Sequence, residues 1–365
     1  MEKGHDVWVV GKAATEPLAK LSDNYVELDY SDEDHLSRLI EQENFDFVIP
    51  GCTDLSYSTV AKVNQGRFPG IDPAGVFDLI NSKQMFRQKL DDLGIPSPKV
   101  WDPRSTDIQG NVVVKPVDSF SGRGIIRLEN PSSAQIREAY DNACASSSSG
   151  KTLVEEYVTG QLYSYSAFLC EGKILADFVV QEDCTTYPYA VDTSKVAWGF
   201  PVGIRDSLGR DILTLAQHLG MQDGLVHTQL IFDGNSYWII EMTRRCPGDL
   251  YSLLIEFSTG YPYAASYVAP FIGESPAPAR DDLMQSYIIR HTATSKEGES
   301  LWGFQFSRPV SIRLFVPLAM AGDRIGASPY GRAALFFLET QDAVAQEGLY
   351  QSLLGNQLYG MGMAG

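Results

Sequence analysis

The sequence predicts a mixed α/β and α+β protein. Three observations carry this. Short β-branched runs alternate with amphipathic stretches over the first 65 residues or so, as in a parallel sheet covered by helices. Longer strand-like runs joined by turn residues fill the middle, including a hairpin signal, DGNS, at Asp233–Ser236. The last 80 residues or so mix strands with a single helix. The chain has 365 residues, enough for about two or three domains at roughly 150 residues each.

The elements follow in order. His5–Val10 and Tyr25–Leu28 read as strands. Ser31 with Asp34 three residues later marks a helix start, and that helix runs to about Glu43. Phe45–Pro50 reads as a buried strand, and Asp54–Asn64 is helical. A parallel domain of this kind normally opens with one more strand–helix unit, so over residues 1–81 either the α/β domain is small or an opening strand–helix unit is absent. Ser82 caps a helix over Lys83–Leu93, with Gly94 just past its end. The proline-rich stretch that follows predicts an extended linker near residue 100. Ser132 and Gln135 open another helix, which ends in a serine tract. Leu153–Val158, Tyr163–Cys170 and Ile174–Gln181 are strands, Leu208–Leu219 is a helix, and Leu225–Phe232 pairs with Tyr237–Met242. After a Pro/Ala-rich break near residue 277 come strands at Ser286–His291, Val310–Val316 and Ala334–Leu338, then a helix at Asp342–Leu354. The expected division is 1–81, 82–160, 161–280 and 281–365.

Composition narrows the function. A net charge of −17 argues against nucleic acid, whose binders present basic surfaces. No run of about 18 apolar residues suggests a membrane span, and the start lacks a signal-peptide pattern. The five cysteines show no metal-ligand or disulfide spacing. Reduced thiols and a cytoplasmic location are expected.

Three segments carry chemistry. VVVKPVDSFSGRGIIRL places Lys115 on a strand before a Ser/Gly loop that returns to strand. Backbone N–H groups of such a loop can close on an anion, and Lys115 and Arg123 add positive charge. TLVEEYVTGQLYS ends a strand in Glu155 and Glu156, an edge that could frame a purine, though a solvated acidic strand end has the same sequence. In the hairpin, strand alternation brings Gln229 and Glu241 to one face, an oxygen pair suited to Mg2+ beside a triphosphate. Arg244 and Arg245 follow and could hold an anion. His227 reads as a packing residue. Arg290, His291, Arg308 and Arg313 could meet an anionic substrate or form surface pairs.

Together, Lys83 in NSKQMF, the Lys115 strand with its DSFSGRG loop, VEEYV and IIEMTRR resemble the ATP-grasp superfamily of ADP-forming ligases, with similarity to carbamoyl-phosphate-synthase-type domains. The resemblance covers about residues 1–260. It implies an ATP-grasp fold behind a small Rossmann-like domain. Lys83 and Lys115 would contact ATP phosphates under a flap of Ser119, Ser121, Gly122, Arg123 and Gly124. Glu155, Glu156, Tyr157 and Val158 would frame the adenine. Gln229 and Glu241 would hold Mg2+, and Arg245, Lys115 and Arg123 would serve catalysis. The implied partners are a small carboxylate and an amine, with a homodimer as the allowed assembly. The implied reaction activates the carboxylate as an acyl phosphate; the alternative is a nucleotide-binding module without turnover. Two departures stand out. Gln229 replaces the Glu of many members, and Thr243 replaces the Asn of the common Glu-x-Asn.

Overall fold

The computed structural model describes residues 4–105, 107–117, 124–147, 150–280 and 282–362. The N-terminal part holds a two-stranded parallel sheet of β1 (Trp8–Gly11) and β2 (Asn24–Glu27). Helices α1 (Pro17–Leu21), α2 (Glu33–Glu43), α3 (Asp54–Asn64) and α4 (Ala74–Asn81) complete it. The cap of α2 is Asp32 rather than Ser31, because the Asp32 carboxylate accepts from the His35 N–H. Thr53 caps α3 in the same way. Phe45–Pro50, expected as a strand, pairs with no neighbour. Two contacts hold the segment: Phe45 meets Trp8 edge-on, and the Tyr267 hydroxyl donates to the Pro50 carbonyl.

Ser82 caps α5 (Lys83–Asp92), as the sequence predicts. A small antiparallel sheet follows. Its strands are β3 (Val100–Trp101), β4 (Val112–Pro116), β5 (Ile126–Leu128) and β6 (Thr152–Glu156), in the spatial order β3-β6-β4-β5. Helix α6 (Ser133–Ser146) opens in a full capping box of Ser132 and Gln135. It lays Ile136, Ala139 and Ala143 on Val112, Val114 and Val154 of that sheet.

The remaining elements build the large unit. They are β7 (Gln161–Cys170), β8 (Lys173–Asp183), β9 (Thr193–Val196), α7 (Val202–Leu219), β10 (Gly224–Phe232), β11 (Tyr237–Thr243), α8 (Tyr251–Thr259) and α9 (Tyr263–Val268). Then come β12 (Tyr287–Ala293), β13 (Glu299–Ser300), β14 (Gln305–Phe306), β15 (Ser311–Pro317), β16 (Arg324–Ile325), β17 (Ala334–Thr340), α10 (Ala343–Leu354) and β18 (Tyr359–Gly360). Eight of the strands form one antiparallel sheet in the order β11-β10-β7-β8-β9-β12-β17-β15. The β9–β12 pairing, Ile289 opposite Lys195, carries this sheet across residue 280. The C-terminal part thus continues the same sheet, and its residues can reach the same cleft. Gly160 marks where the backbone crosses the hairpin: a Cβ there would lie 2.7 Å from the Phe232 carbonyl oxygen.

Candidate active site

A cleft of about 1210 Å³ runs between the small sheet, the large sheet and the first turn of α3. At one end Lys115 stands on β4. Its Nζ lies 2.5 Å from a Glu155 carboxylate oxygen. The other oxygen of that carboxylate is 2.8 Å from Arg87 Nε, an ion pair without hydrogen-bond alignment. Arg87 also donates to the Ile240 carbonyl at 2.7 Å, tying α5 to β11. Burial opposes charge on Glu155, but Lys115 and Arg87 together hold its carboxyl below the usual range. Burial pushes the Lys115 ammonium down, against the pull of Glu155. Lys83, the first residue of α5, lines the same end and donates to the Val117 carbonyl at 3.3 Å.

In the middle, Gln229 and Glu241 are direct cross-strand partners on β10 and β11, and both line the cleft. The Gln229 amide nitrogen donates to Glu182 at 2.7 Å, which leaves its carbonyl oxygen for another partner. The exposed Glu241 carboxylate makes no hydrogen bond or ion pair among the described residues. Glu182 is buried, and burial pushes its carboxyl up. Arg245 is clamped by Asp54 of α3, at 2.9 and 3.0 Å. Thr243 also donates to Asp54, at 3.0 Å. Arg244 points the opposite way, as strand alternation requires. It is buried on Asp72, at 2.6 Å, and on the Leu225 and Gln222 carbonyls.

At the far end, Arg290 of β12 lines the cleft at 4% exposure. Its Nε donates to the Ser194 hydroxyl at 3.0 Å and Nη1 to the Asp249 carbonyl at 2.9 Å. It has no ion pair among the described residues. Arg332, also lining the cleft, pairs with the Asp249 carboxylate. His227 bonds through Nδ1 to the Ser166 hydroxyl, and burial holds its pKa down at about 3, so the ring is neutral.

No protein-family model matches the sequence. The chain is 26% identical over 164 residues to the formate-dependent phosphoribosylglycinamide formyltransferase of Hydrogenovibrio crunogenus, a match covering 42% of each chain. The protein of the same name from Azotobacter vinelandii is 25% identical over 353 residues, 88% of this chain and 84% of that one. The chain thus spans less than half the length of the first of these relatives, and most of the second. Among solved structures, phosphoribosylglycinamide synthetase from Anaerococcus prevotii superposes with a TM-score of 0.73, covering 96% of this chain and 91% of that one at 15% identity. L-amino acid ligase from Bacillus licheniformis also gives 0.73, over 92% and 87% at 15% identity. A biotin carboxylase from Campylobacter jejuni gives 0.72, over 98% and 86% at 14% identity. The chain has the ATP-grasp fold.

Within this ATP-grasp cleft, Lys83, Lys115, Tyr157, Val158, Gln229, Glu241 and Arg245 meet, although they come from four separate stretches of sequence. Glu155 and Glu156 do not line it. The Glu155 carboxylate is spent on Lys115 and Arg87, so it anchors a lysine and cannot accept from a base edge, a correction to the sequence expectation. The Glu156 and Tyr157 N–H groups already donate to the Lys99 and Asn111 carbonyls. Ser119, Ser121, Gly122 and Arg123 lie outside the described residues. Gly124 is described, with a positive φ of 72°. Of the four basic C-terminal candidates, only Arg290 faces the cleft. His291 is buried against Thr193 and Tyr359, Arg308 bonds to the Gly348 carbonyl and Ser352 on α10, and Arg313 pairs with Glu339. Sequence reasoning missed Asp54, Glu182 and Arg87. Asp54 reads only as a helix start and Arg87 as an ordinary helix residue; no local pattern marks Glu182. Thr243 holds Asp54 in place. Among the described residues no helix is long and apolar enough to cross a membrane.

Proposed function

We propose that the chain is an ATP-dependent ligase. It activates a small carboxylate as an acyl phosphate and joins it to an amine, releasing ADP and phosphate. The observation that carries this reading is the order of groups along one cleft: two lysines at one end, an open carboxylate–amide pair in the middle, and Arg245 and Arg290 beyond it. A triphosphate lying along this line would place its terminal phosphoryl between Glu241 and Arg245, with Arg290 facing the incoming acid.

The donor set fits Mg2+. Glu241 offers a free carboxylate and Gln229 a carbonyl oxygen, both hard ligands. Among the described residues no three His, Cys, Asp or Glu side chains converge on a metal position. Phosphate oxygens and water would therefore complete the shell, as is usual for Mg2+. When bound, the ion would draw charge off the phosphate oxygens.

The chain's own residues do the rest. Lys83 and Lys115 neutralise the outgoing diphosphate. Glu155 fixes the Lys115 ammonium, so little reorganisation is needed as charge develops. Asp54 and Thr243 orient Arg245 toward the transferring phosphoryl. Arg290, which makes no ion pair among the described residues, holds the acid for in-line attack. The amine then adds to the acyl carbon, and phosphate leaves. A homodimer is the proposed assembly, supported by a related biotin carboxylase domain solved as a dimer.

The test is ADP and phosphate release from Mg-ATP. Formate, bicarbonate and L-amino acids would serve as acids, and phosphoribosylglycinamide and amino acids as amines, choices suggested by the relatives. Release that requires both an acid and Lys115 is expected. Nucleotide binding without acid-dependent release over the panel would count against the ligase reading.

A further inference from the structure

Gln229 and Glu241 face each other across β10 and β11 in the middle of the cleft. A carboxylate offers oxygen on both sides, but an amide offers oxygen on one side and NH2 on the other. An amide turned the wrong way would present its donors to a cation. The orientation of Gln229 therefore has to be set by a neighbour.

The structure holds that amide from behind. Glu182 lies on β8, two strands from β10, and β7 runs between them. Ser164 of β7 stands directly opposite Gln229 and is fully buried, and its short side chain lets the two longer ones meet. Gln229 Nε2 donates to Glu182 Oε2 at 2.7 Å. Glu182 is itself buried and fixed: Gln161 Nε2 donates to its backbone carbonyl at 2.8 Å, and it pairs with Ser194 of β9. Burial raises the Glu182 carboxyl, and the Gln229 donor and the Arg290 charge oppose that rise. A carboxylate only accepts, so this contact draws the NH2 inward and turns the Gln229 oxygen toward the cleft.

We propose that Glu182 is a positioning residue, which fixes the Gln229 amide with its carbonyl oxygen toward the divalent cation. It acts through Gln229. The proposal deepens the ligase reading and rests on its Gln229–Glu241 metal pair.

Calorimetry on the full-length protein tests it without turnover. The affinity for a non-hydrolysable ATP analogue is measured in Mg2+ and in EDTA, and the ratio of the two reports the metal contribution. Glu182→Ala should lower that ratio about tenfold to a hundredfold, the range for losing a group that orients a metal ligand. Glu182→Gln keeps the shape, but it can either accept from the Gln229 amide or donate to it. Two orientations of similar population should cost about twofold. The decisive variant combines Glu182→Ala with Gln229→Glu. A carboxylate needs no orienting partner, so the ratio should recover, which a merely structural role for Glu182 would not produce. An unchanged ratio in Glu182→Ala, with the ratio lost in Glu241→Gln, would overturn the proposal and leave the metal pair standing. A double variant no better than Glu182→Ala would overturn it too. Equal wild-type affinities in Mg2+ and EDTA would overturn the metal pair and the proposal together.

Discussion

The two ends of the cleft hold their cations in opposite ways. At the small-sheet end, Lys115 and Arg87 share the buried Glu155 carboxylate, so each cation has an anionic partner within the protein. At the large-sheet end, Arg290 is held by a serine hydroxyl and a backbone carbonyl, makes no ion pair among the described residues, and feels the buried Glu182 carboxyl only from beyond contact distance. A buried cation with only neutral acceptors is costly unless an anion arrives to share it. The first end is therefore built for rigidity, and its interactions stabilise the empty protein. The second is built for a ligand, and its interactions are completed on binding. Arg245 stands between them, clamped by Asp54 yet still facing the cleft.

The sharpest way to break this comparison is Glu155→Gln. It leaves Lys115 and Arg87 facing each other in a buried site. Stability should fall by about 3–5 kcal/mol in urea unfolding. A loss below about 1 kcal/mol would mean that the carboxylate does not organise this end. Lys115→Ala comes next. Acid-dependent ADP release should drop about a hundredfold to a thousandfold, the range seen when a charged donor is removed from a developing negative charge. Its circular dichroism should stay native.

Arg290→Ala probes the other end, and the signs should differ. The KM for the carboxylate should rise about tenfold to a hundredfold, that for ATP should hold, and stability should fall by no more than about 1 kcal/mol, because no ion pair is broken. If stability collapsed while the acid KM held, the contrast between the two ends would be wrong.

The smallest expected effect is acid sensitivity. His227 and His291 are buried, and desolvation holds both pKa values at about 3, below the unfolded value near 6.5. Both rings are neutral in the fold, whereas the unfolded chain takes up protons below pH 6.5. Acid therefore favours unfolding: stability is full above about pH 6.5 and is lost as pH falls toward 3. At pH 5 each ring costs about 2 kcal/mol. Glu182 and Asp192, whose carboxyls are pushed up by burial, act in the opposite sense at pH above their unfolded values. Thermal melts of the wild type and of His291→Gln between pH 7 and 5 should converge as pH falls. Parallel curves would contradict the assignment.

Much of this architecture was legible in the sequence where one element carries its own signal. The Ser82 and Ser132 caps, the α3 boundaries and the DGNS hairpin are local, and hairpin register alone brings Gln229 opposite Glu241. The C-terminal part was not legible in this way. Its strands were read, but their pairing through β9 is a contact between distant segments that no local pattern records. The same reason hides Asp54 and Glu182, whose meaning comes only from Arg245 and Gln229 across the fold. Glu155 was misjudged because alternation places it on the buried face of β6, where Arg87, from a helix more than 60 residues earlier, waits for it.

The most direct test of the central claim is trapping of the activated acid. Mg-ATP, hydroxylamine and each carboxylate of the panel would be incubated with the protein, and hydroxamate measured beside ADP. The account predicts hydroxamate in step with ADP for at least one acid, and neither product with Lys115→Ala. ADP release that yields no hydroxamate with any acid, or that persists in Lys115→Ala, would contradict it.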